Sequence, residues 1–562
     1  MDSVKDDKAA SSPVEVQAEI KRLLSAGAVA EARSVLDAAL ERWKRNPKLL
    51  LLKGEVLAAS SPVRAAAHFA ALMADPSLAP WALARLSDLF PISGLTGDDA
   101  LAIADAICSD RVERRVRERL LDELLSTADA VTKTKLIELA GANSAIFKYE
   151  SKLAVARTEA GDFSGAIAVL EKAQHAGRLS LHGAILKADL LAVVDRLDAS
   201  IALLEELYAA NPEHADISRR LTMMLQRARR FDRAAEVFEQ AIERWPQDWM
   251  LVYRLNRLPI ARTRYERILK LLLTRAGDAL KSNERFRFQA GLAALQGRDP
   301  TQGFALLDHA FAPPVSILAL PVQKALTARD AATWHGASRL VDDRTKEVQT
   351  AKTQKARATI VLTTGIAFGN LPLAFVDALF AAHRVNVIYL RDFGKRAYLR
   401  GVSALGASEE ETVAALKRMA DELGAKRLIA MGSSSGGFSA LRLGALMGAD
   451  AAVSFSGPTA MAMFLDSTRV SAWNPNFFVK AMIEREGELP FDLVPVLSKR
   501  WTTKFIQVYG AQSAEDARQA RRLEGLPGVE LRAVPGVDDH FVVDHMIGDG
   551  SFEALLEELI SA

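Results

Sequence analysis

The spacing of hydrophobic positions changes part-way along the chain. Across residues 13–340, apolar residues recur at helical spacing in segments rich in Ala, Leu, Arg and Glu, which predicts an all-helical region. Across 357–562, short β-branched runs alternate with helical segments, which predicts strands and helices in turn. The intervening stretch 341–356 is polar and nearly free of large apolar residues, so we predict a linker between two domains.

The helical region contains a repeat. Within segments 161–173, 196–208 and 230–242, matching residues recur every 34 positions. Each has a large apolar residue, then a small residue, then a second large apolar residue at fixed offsets, and the last two are followed by proline. The matched positions are Phe163, Leu197 and Phe231; Ala166, Ser200 and Ala234; Leu170, Leu204 and Phe238; and Pro212 and Pro246.

This period, with small residues where two helices would cross closely, resembles the tetratricopeptide repeat. The resemblance implies helix–turn–helix units that stack into a superhelix with a concave surface. Such arrays bind a protein partner or mediate self-association, so we expect a partner on the repeat surface or a homo-oligomer.

Six β-branched runs in the second region predict a mostly parallel sheet. Apolar strands that alternate with amphipathic helices are typical of a parallel sheet covered on both faces. The predicted strands are 358–364, 384–390, 427–432, 451–456, 504–510 and 529–535.

The strand 427–432 runs into a Gly-x-Ser-x-Gly motif formed by Gly432, Ser434 and Gly436, followed by Gly437 and a helix. Between a strand and a helix, this motif indicates a nucleophile elbow, a tight turn in which side chains at the glycine positions would collide with neighbouring backbone. Ser434 is the predicted nucleophile, held at a helix N-terminus. The alternative, a phosphate-binding turn, is disfavoured because the chain has no GxxxxGK[ST] or GxGxxG pattern here.

A serine hydroxyl needs a base to take its proton, and the base needs an acid to orient it. His540 follows the last predicted strand and is the preferred base, with His545 as the alternative. Asp516, in the loop after strand 504–510, is the preferred acid, with Glu515 second. The alternative role for both carboxylates is to stabilise the first turn of a helix.

Two donors are needed to stabilise the oxyanion of an acyl-transfer intermediate. We expect one to be the backbone N–H of Ser435, directly after the nucleophile. The other is expected from the loop after strand 358–364, which contains Gly365 and Ile366.

Residues 357–562 resemble the α/β-hydrolase superfamily in strand order, in the elbow GSSSGG and in the late VDDH. The segments YLRDFGKRAY and VYGAQSAEDARQARRL resemble a bacterial subgroup of serine hydrolases that occurs with tetratricopeptide arrays or in polysaccharide processing. The resemblance implies an α/β-hydrolase fold with Ser434, Asp516 and His540 as a triad, and a lid between residues 456 and 504. The position that usually carries the acid is Ser513, so Asp516 is displaced by three residues.

Composition excludes several classes of protein. The chain has 562 residues with 72 Lys and Arg against 70 Asp and Glu, a net charge of +2, which argues against nucleic-acid binding. The single cysteine, Cys108, cannot form an internal disulfide, and we expect no metal and no cofactor. No apolar run is long enough to span a membrane, and the polar start lacks an apolar signal segment, so we expect a cytoplasmic protein.

Together these features predict a serine hydrolase that cleaves an ester or related acyl bond in a small-molecule or saccharide substrate. One alternative is an acyltransferase that uses the same triad on a sugar or other alcohol. The other is a tetratricopeptide scaffold whose hydrolase-like domain does not catalyse, for example in polysaccharide processing or export. The displaced acid motivates this last alternative.

Overall fold

A computed structural model gives the structure of the protein. It describes residues 12–90, 92, 95–108, 112, 114–143, 149–328, 334, 337–340, 344–364, 367–394, 397–461 and 491–561. The chain divides into two compact units, residues 1–187 and 188–562. This division lies within the helical region and not at the predicted linker.

The first unit is helical throughout its described residues. Side chains cap several of its helices. For example, the Asn46 Oδ1 accepts hydrogen bonds from the N–H groups of Lys48 and Leu49, and Pro47 occupies the first helical position. The helices are α1 (Pro13–Ser25), α2 (Val29–Arg42), α3 (Pro47–Ala58), α4 (Pro62–Leu72), α5 (Ala79–Asp88), α6 (Gly97–Ile107), α7 (Arg114–Thr127), α8 (Ala130–Asn143), α9 (Tyr149–Glu159) and α10 (Phe163–His175).

The second unit begins with the remaining helices of the array. They are α11 (Leu181–Val193), which contains the division between the units, α12 (Leu197–Ala210), α13 (Ala215–Arg227), α14 (Phe231–Arg244), α15 (Trp249–Leu255), α16 (Arg262–Arg275), α17 (Ala279–Ser282), α18 (Glu284–Gln296), α19 (Pro300–Leu307) and α20 (Val315–Thr327). No described helix is both long enough and apolar enough to cross a bilayer.

The small residues of the repeat are buried where helices cross, as predicted. Ala166, Ser200 and Ala234 are each 0% exposed, and the Ser200 hydroxyl donates to the carbonyl oxygen of Ala188 at 2.7 Å. Further along, a Cβ on Gly291 would lie 2.6 Å from the Leu307 side chain, so helices α18 and α19 approach too closely for any larger residue.

The rest of the second unit contains strands with interleaved helices. The strands are β1 (Val348–Ala351), β2 (Ala358–Thr364), β3 (Ala367–Phe368), β4 (Leu371–Pro372), β5 (Val385–Arg391), β6 (Leu428–Ser433), β7 (Ala451–Phe455), β8 (Lys504–Gly510) and β9 (Val529–Val534). The helices are α21 (Leu373–Ala382), α22 (Glu409–Leu423), α23 (Ser435–Met447), α24 (Val494–Leu497), α25 (Ala514–Arg521), α26 (Val542–Asp549) and α27 (Ser551–Ser561).

Seven strands of the described chain form one sheet in the order β1-β5-β2-β6-β7-β8-β9, and β3 pairs with β4 separately. Strand β1 runs antiparallel to β5, and the other neighbours in the seven-stranded sheet are parallel. The parallel strands therefore end at one edge, where side chains from several loops can meet. All six predicted strands are present.

The sheet is buried on both faces, as predicted for a parallel sheet. Along β2, Ile360 and Leu362 lie in one hydrophobic core and Val361 lies in the other. The first of these cores also contains Phe288 of α18 and Ala319 of α20. The last helices of the array and the sheet therefore share one core within the second unit.

The segment 341–356, predicted as a linker, contains strand β1, which pairs with β5. Arg344, in the same segment, is also buried. Its guanidinium donates to the carbonyl oxygens of Leu255 and Leu258 at 3.1 and 3.2 Å and stacks 4.0 Å from the ring centroid of Tyr265. The polar composition of this segment serves hydrogen bonds to the array and the sheet. The predicted domain limits themselves stay a prediction.

Candidate active site

Ser434 occupies a strained turn between strand β6 and helix α23. Its φ of 54° and ψ of −130° lie in a backbone region that residues with a side chain rarely adopt. The Ser434 N–H donates to the carbonyl oxygen of Phe455 at 2.9 Å, which ties the turn to the neighbouring strand β7. The turn leaves the Ser434 side chain half-buried at the carboxyl edge of the sheet.

The glycines around Ser434 are required by close backbone approach. A Cβ on Gly432 would lie 2.2 Å from the carbonyl oxygen of Gly436, and a Cβ on Gly436 would lie 2.3 Å from that of Thr363. A Cβ on Gly437 would lie 2.4 Å from the Ser454 Oγ. The steric reason that the sequence suggested for these three glycines therefore matches their surroundings.

The loops after two later strands bring His540 and Asp516 to Ser434. Asp516 lies in the first turn of α25, after β8, and His540 lies between β9 and α26. The His540 Nε2 is 2.9 Å from the Ser434 Oγ, and the His540 Nδ1 is 2.9 Å from the Asp516 Oδ1. Because a carboxylate only accepts, Nδ1–H donates to Asp516, which leaves Nε2 to accept the Ser434 hydroxyl proton.

Asp516 is 4% exposed. Among the described residues, His540 is the one hydrogen-bond donor to its carboxylate, since Oδ2 has no partner there. The imidazole therefore supplies the hydrogen bond that this buried carboxylate requires.

The two alternative residues have other partners. The Glu515 Oε2 accepts from the Arg518 Nε at 2.9 Å on the surface of α25. The His545 Nε2 lies 2.7 Å from the Asp539 Oδ2, and this hydrogen bond raises the pKa of His545. Neither residue is hydrogen-bonded to Ser434 or His540.

Asp539 holds the loop that carries His540. Its carboxylate accepts the Phe541 N–H at 2.6 Å as well as the hydrogen bond from His545. Burial raises the pKa of Asp539, but the hydrogen bonds from His545 and Phe541 outweigh burial, and the pKa lies below its usual value. The loop conformation is therefore fixed on both sides of His540.

The predicted oxyanion donors are only partly within the described chain. Ser435 is the first residue of α23, so its N–H belongs to the unpaired first turn of that helix. Gly365 and Ile366 lie outside the described residues, as does the stretch 462–490 of the predicted lid. The prediction for the second donor stays a prediction.

Two buried polar residues, Tyr398 and Asp544, contact described residues before and after positions 365–366, and neither was predicted from the sequence. The Tyr398 hydroxyl lies 2.8 Å from the carbonyl oxygens of Thr364 and Leu390, at the ends of β2 and β5. Burial raises the pKa of Tyr398 well above its usual value, so this hydroxyl stays a neutral donor. These two hydrogen bonds fix the backbone at the end of β2.

Asp544 holds the turn between strands β3 and β4. Its carboxyl accepts the Asn370 N–H at 3.1 Å and the Asn370 Nδ2 at 2.8 Å. Burial raises the pKa of Asp544 to about 7, and the charge of Asp539 adds to the effect. The sequence signal that could have identified this residue is a carboxyl on the apolar face of helix α26.

Ser434 and His540 open onto a cavity of about 1080 Å³ within the second unit. The sheet region lines one part of this cavity, and helices α13, α15 and α18 of the array line another. From the sequence, the array surface was expected to bind a partner, and its contribution to this cavity was not predicted. Among the described residues, no group of three or more His, Cys, Asp or Glu side chains is placed to bind a metal ion.

Comparison with known proteins identifies the repeats in the helical region. The family model described as Tetratricopeptide repeat matches residues 185–248 and 225–255, so the chain contains tetratricopeptide repeats, as predicted. No curated protein matches the chain. The predicted fold class is also confirmed: a helical repeat region precedes a mostly parallel sheet with interleaved helices.

Several solved structures are similar to part of the chain. An alpha/beta hydrolase enzyme from the metagenome of sediments of the Mar Chica lagoon, Morocco, is 19% identical, covers 38% of this chain and 94% of its own, and has a TM-score of 0.27. Esterase B from Lactobacillus rhamnosis is 15% identical over 44% of this chain and 94% of its own, with a TM-score of 0.30. Yeast Tom70 is 14% identical over 56% of this chain and 95% of its own, with a TM-score of 0.19.

Proposed function

We propose that the protein is a serine hydrolase that cleaves an ester or related acyl bond, with Ser434, His540 and Asp516 as its triad. The observation that carries the proposal is the line of two 2.9 Å contacts from Ser434 through His540 to buried Asp516. The line lies at the wall of a cavity large enough for a substrate. Each element has a defined role in acyl transfer.

In the first step, the Ser434 Oγ attacks the acyl carbon while the His540 Nε2 accepts its proton. Asp516 holds the ring in the tautomer that leaves Nε2 free to accept, and its charge stabilises the imidazolium that forms. The Ser435 N–H, at the N-terminus of α23, is positioned to donate to the developing oxyanion. His540 then returns the proton to the leaving alcohol, and the acyl group stays on Ser434.

In the second step, water attacks the acyl-enzyme. The His540 Nε2 accepts a proton from this water and returns it to the Ser434 Oγ as the acid product leaves. If an alcohol such as a sugar hydroxyl takes the place of water, the same residues transfer the acyl group instead. The proposal names hydrolysis because water satisfies this step without a second binding site.

Labelling with an uncharged fluorophosphonate probe tests the proposal. We expect the wild type to be labelled, because the activated Ser434 Oγ attacks the phosphorus centre, and we expect Ser434→Ala to remove labelling. His540→Gln should reduce labelling strongly, whereas His383→Gln, which changes a histidine paired with Glu557 at the end of α21, should leave it largely intact. Absence of labelling in a folded wild type across a range of pH values would contradict the proposal.

A further inference from the structure

The cavity at Ser434 is lined by arginines that the proposed hydrolysis does not use. Four come from the helical array and one from the end of strand β5. They are Arg227, Arg254, Arg257, Arg285 and Arg391. Of the described residues that line the cavity, Asp392 is the one carboxylate. The space next to the predicted nucleophile is therefore positively charged.

This charge does not follow from the general abundance of arginine in the array. Elsewhere in the array, arginines pair with carboxylates: the Arg233 Nη2 lies 2.8 Å from the Glu205 Oε2, and the Arg220 Nε lies 3.0 Å from the Asp189 Oδ2. Within the described part of the chain, neither Arg257 nor Arg285 has a carboxylate at ion-pair distance. At Arg257 and Arg285, an external anion can therefore take the place of a carboxylate.

Two of the cavity arginines are stacked on aromatic rings. The Arg257 Cζ lies 3.7 Å from the ring centroid of Tyr253, whose carbonyl oxygen accepts from the Arg257 Nη1 at 3.2 Å. The Arg285 Cζ lies 5.4 Å from the ring centroid of Trp249. Stacking orients a guanidinium while leaving N–H groups at its edge for a planar or tetrahedral anion. Both side chains keep substantial exposure.

Arg254 is held where its positive charge is disfavoured. Burial lowers its pKa to about 9, and the nearby charge of Arg219 adds to the effect. The Arg254 Nη1 donates to the backbone carbonyl oxygen of Arg219 at 3.4 Å, and the Arg219 side chain is itself paired with Asp216 and Asp248. An anion in this space would stabilise the charge of Arg254, because it adds an attraction that offsets the effect of burial.

The cavity also has an apolar wall suited to a carbon chain. Met250, Phe288, Val315 and Leu318 line it together with the arginines. A volume of about 1080 Å³ exceeds what a short acyl group needs, since pockets for drug-sized molecules begin at about 300 Å³. The cavity therefore suits an extended molecule with an apolar section and a charged end.

We propose that the ester cleaved at Ser434 carries a carboxylate or phosphate group away from its scissile bond, and that the arginines of the array bind this anion. The inference rests on the proposed function and specifies its substrate class. In this stretch, the repeats bind substrate where a partner protein was expected. The repeat array and the sheet then form one active site within the second unit.

A pair of matched esters tests this inference. One is the mono-p-nitrophenyl ester of adipic acid, and the other is the same ester with its free carboxylate capped as a methyl ester. We expect the wild type to prefer the carboxylate ester in kcat/KM, because a charge-assisted hydrogen bond to arginine contributes about tenfold or more. In the double variant R257Q/R285Q, this preference should be about tenfold smaller. Arg233→Gln, which removes a paired arginine outside the cavity, should keep the wild-type preference.

A second measurement applies if both esters are poor substrates. The rate of labelling by the uncharged fluorophosphonate probe is measured with added adipate or inorganic phosphate. We expect one of these anions to slow labelling of the wild type and to have a weaker effect on R257Q/R285Q. Slowing by adipate alone indicates a carboxylate substrate, and slowing by phosphate alone indicates a phosphate-bearing substrate.

The outcomes separate the two proposals. If Ser434 is labelled but the wild type shows no preference between the esters and no slowing by either anion, the anion site is wrong and the serine hydrolase proposal stands. The anion site is also wrong if R257Q/R285Q keeps the full preference. If the wild type is neither labelled nor active, the proposed function fails, and the substrate class fails with it.

Discussion

At the scale of single residues, the site depends on backbone geometry that is visible in the sequence. Ser434 adopts a strained φ, and the surrounding glycines are needed because any Cβ would meet backbone or side-chain atoms within 2.4 Å. Local steric demands of this kind leave a motif, which is why the position of Ser434 could be predicted. The choice of Asp516 over Glu515 was harder, because adjacent residues on a helix differ only in the direction of their side chains.

The choice between these two carboxylates can be measured. Asp516→Asn should lower kcat by about 10³ to 10⁴-fold, because an amide would hold the wrong tautomer of His540. Glu515→Gln should change kcat by less than about twofold, since Glu515 forms an exposed pair with Arg518. Ester hydrolysis by the purified variants tests both expectations. Equal losses in the two variants, or a loss only in Glu515→Gln, would overturn the assignment of the acid.

Asp544 gives a prediction about pH. Its pKa is raised from 3.8 to about 7 in the folded protein, so between these values the folded state holds a proton that the unfolded state has released. Unfolding then releases protons, and the free energy of unfolding falls as pH rises from about 4 to about 7, with no further effect of this group above that range.

Asp544→Asn should remove this part of the pH dependence. Relative to the variant, the wild type is expected to lose up to about 4 kcal/mol of unfolding free energy across that range. Chemical denaturation at a series of pH values measures the difference. Asp549→Asn, at an exposed carboxyl near the end of the same helix, is the control and should preserve the wild-type slope. A constant difference between wild type and Asp544→Asn at all pH values would contradict the raised pKa.

At the scale of elements, the strands with continuous apolar runs were predicted well, but the edge strand β1 was not predicted. The limits of β2 and β8 agree with the sequence prediction, because strands buried on both faces require such runs. Strand β1 has the sequence VQTA and is only partly buried, so it has no hydrophobic pattern to distinguish it from a polar linker. Its pairing with β5 depends on residues that are distant in sequence.

Arg344 tests whether the segment before β1 is structural. Arg344→Met should lower the free energy of unfolding by roughly 3 kcal/mol, because several buried carbonyl oxygens lose their donor. Lys346→Met, an exposed change two positions later, should stay within about 0.5 kcal/mol of the wild type. Chemical denaturation of the full chain measures both. An Arg344→Met protein as stable as Lys346→Met would show that this segment behaves as a simple linker.

At the scale of the whole molecule, the repeat and the sheet were predictable as separate regions, but their joint cavity was not. The period of 34 residues and the alternation of strands and helices are local patterns. The cavity depends on where α13, α15 and α18 lie relative to Ser434, which is set by packing between segments far apart in sequence. The non-catalytic scaffold was motivated by the displaced acid, and the 2.9 Å contact between Asp516 and His540 removes that motive.

The most direct test of the central claim is to identify the atom that reacts. The wild-type protein is treated with an uncharged fluorophosphonate, digested, and analysed by mass spectrometry of its peptides. We expect one stoichiometric adduct on Ser434, absent from Ser434→Ala and strongly reduced in His540→Gln. An adduct on another residue, or none in folded protein, would contradict the claim that Ser434 is the nucleophile.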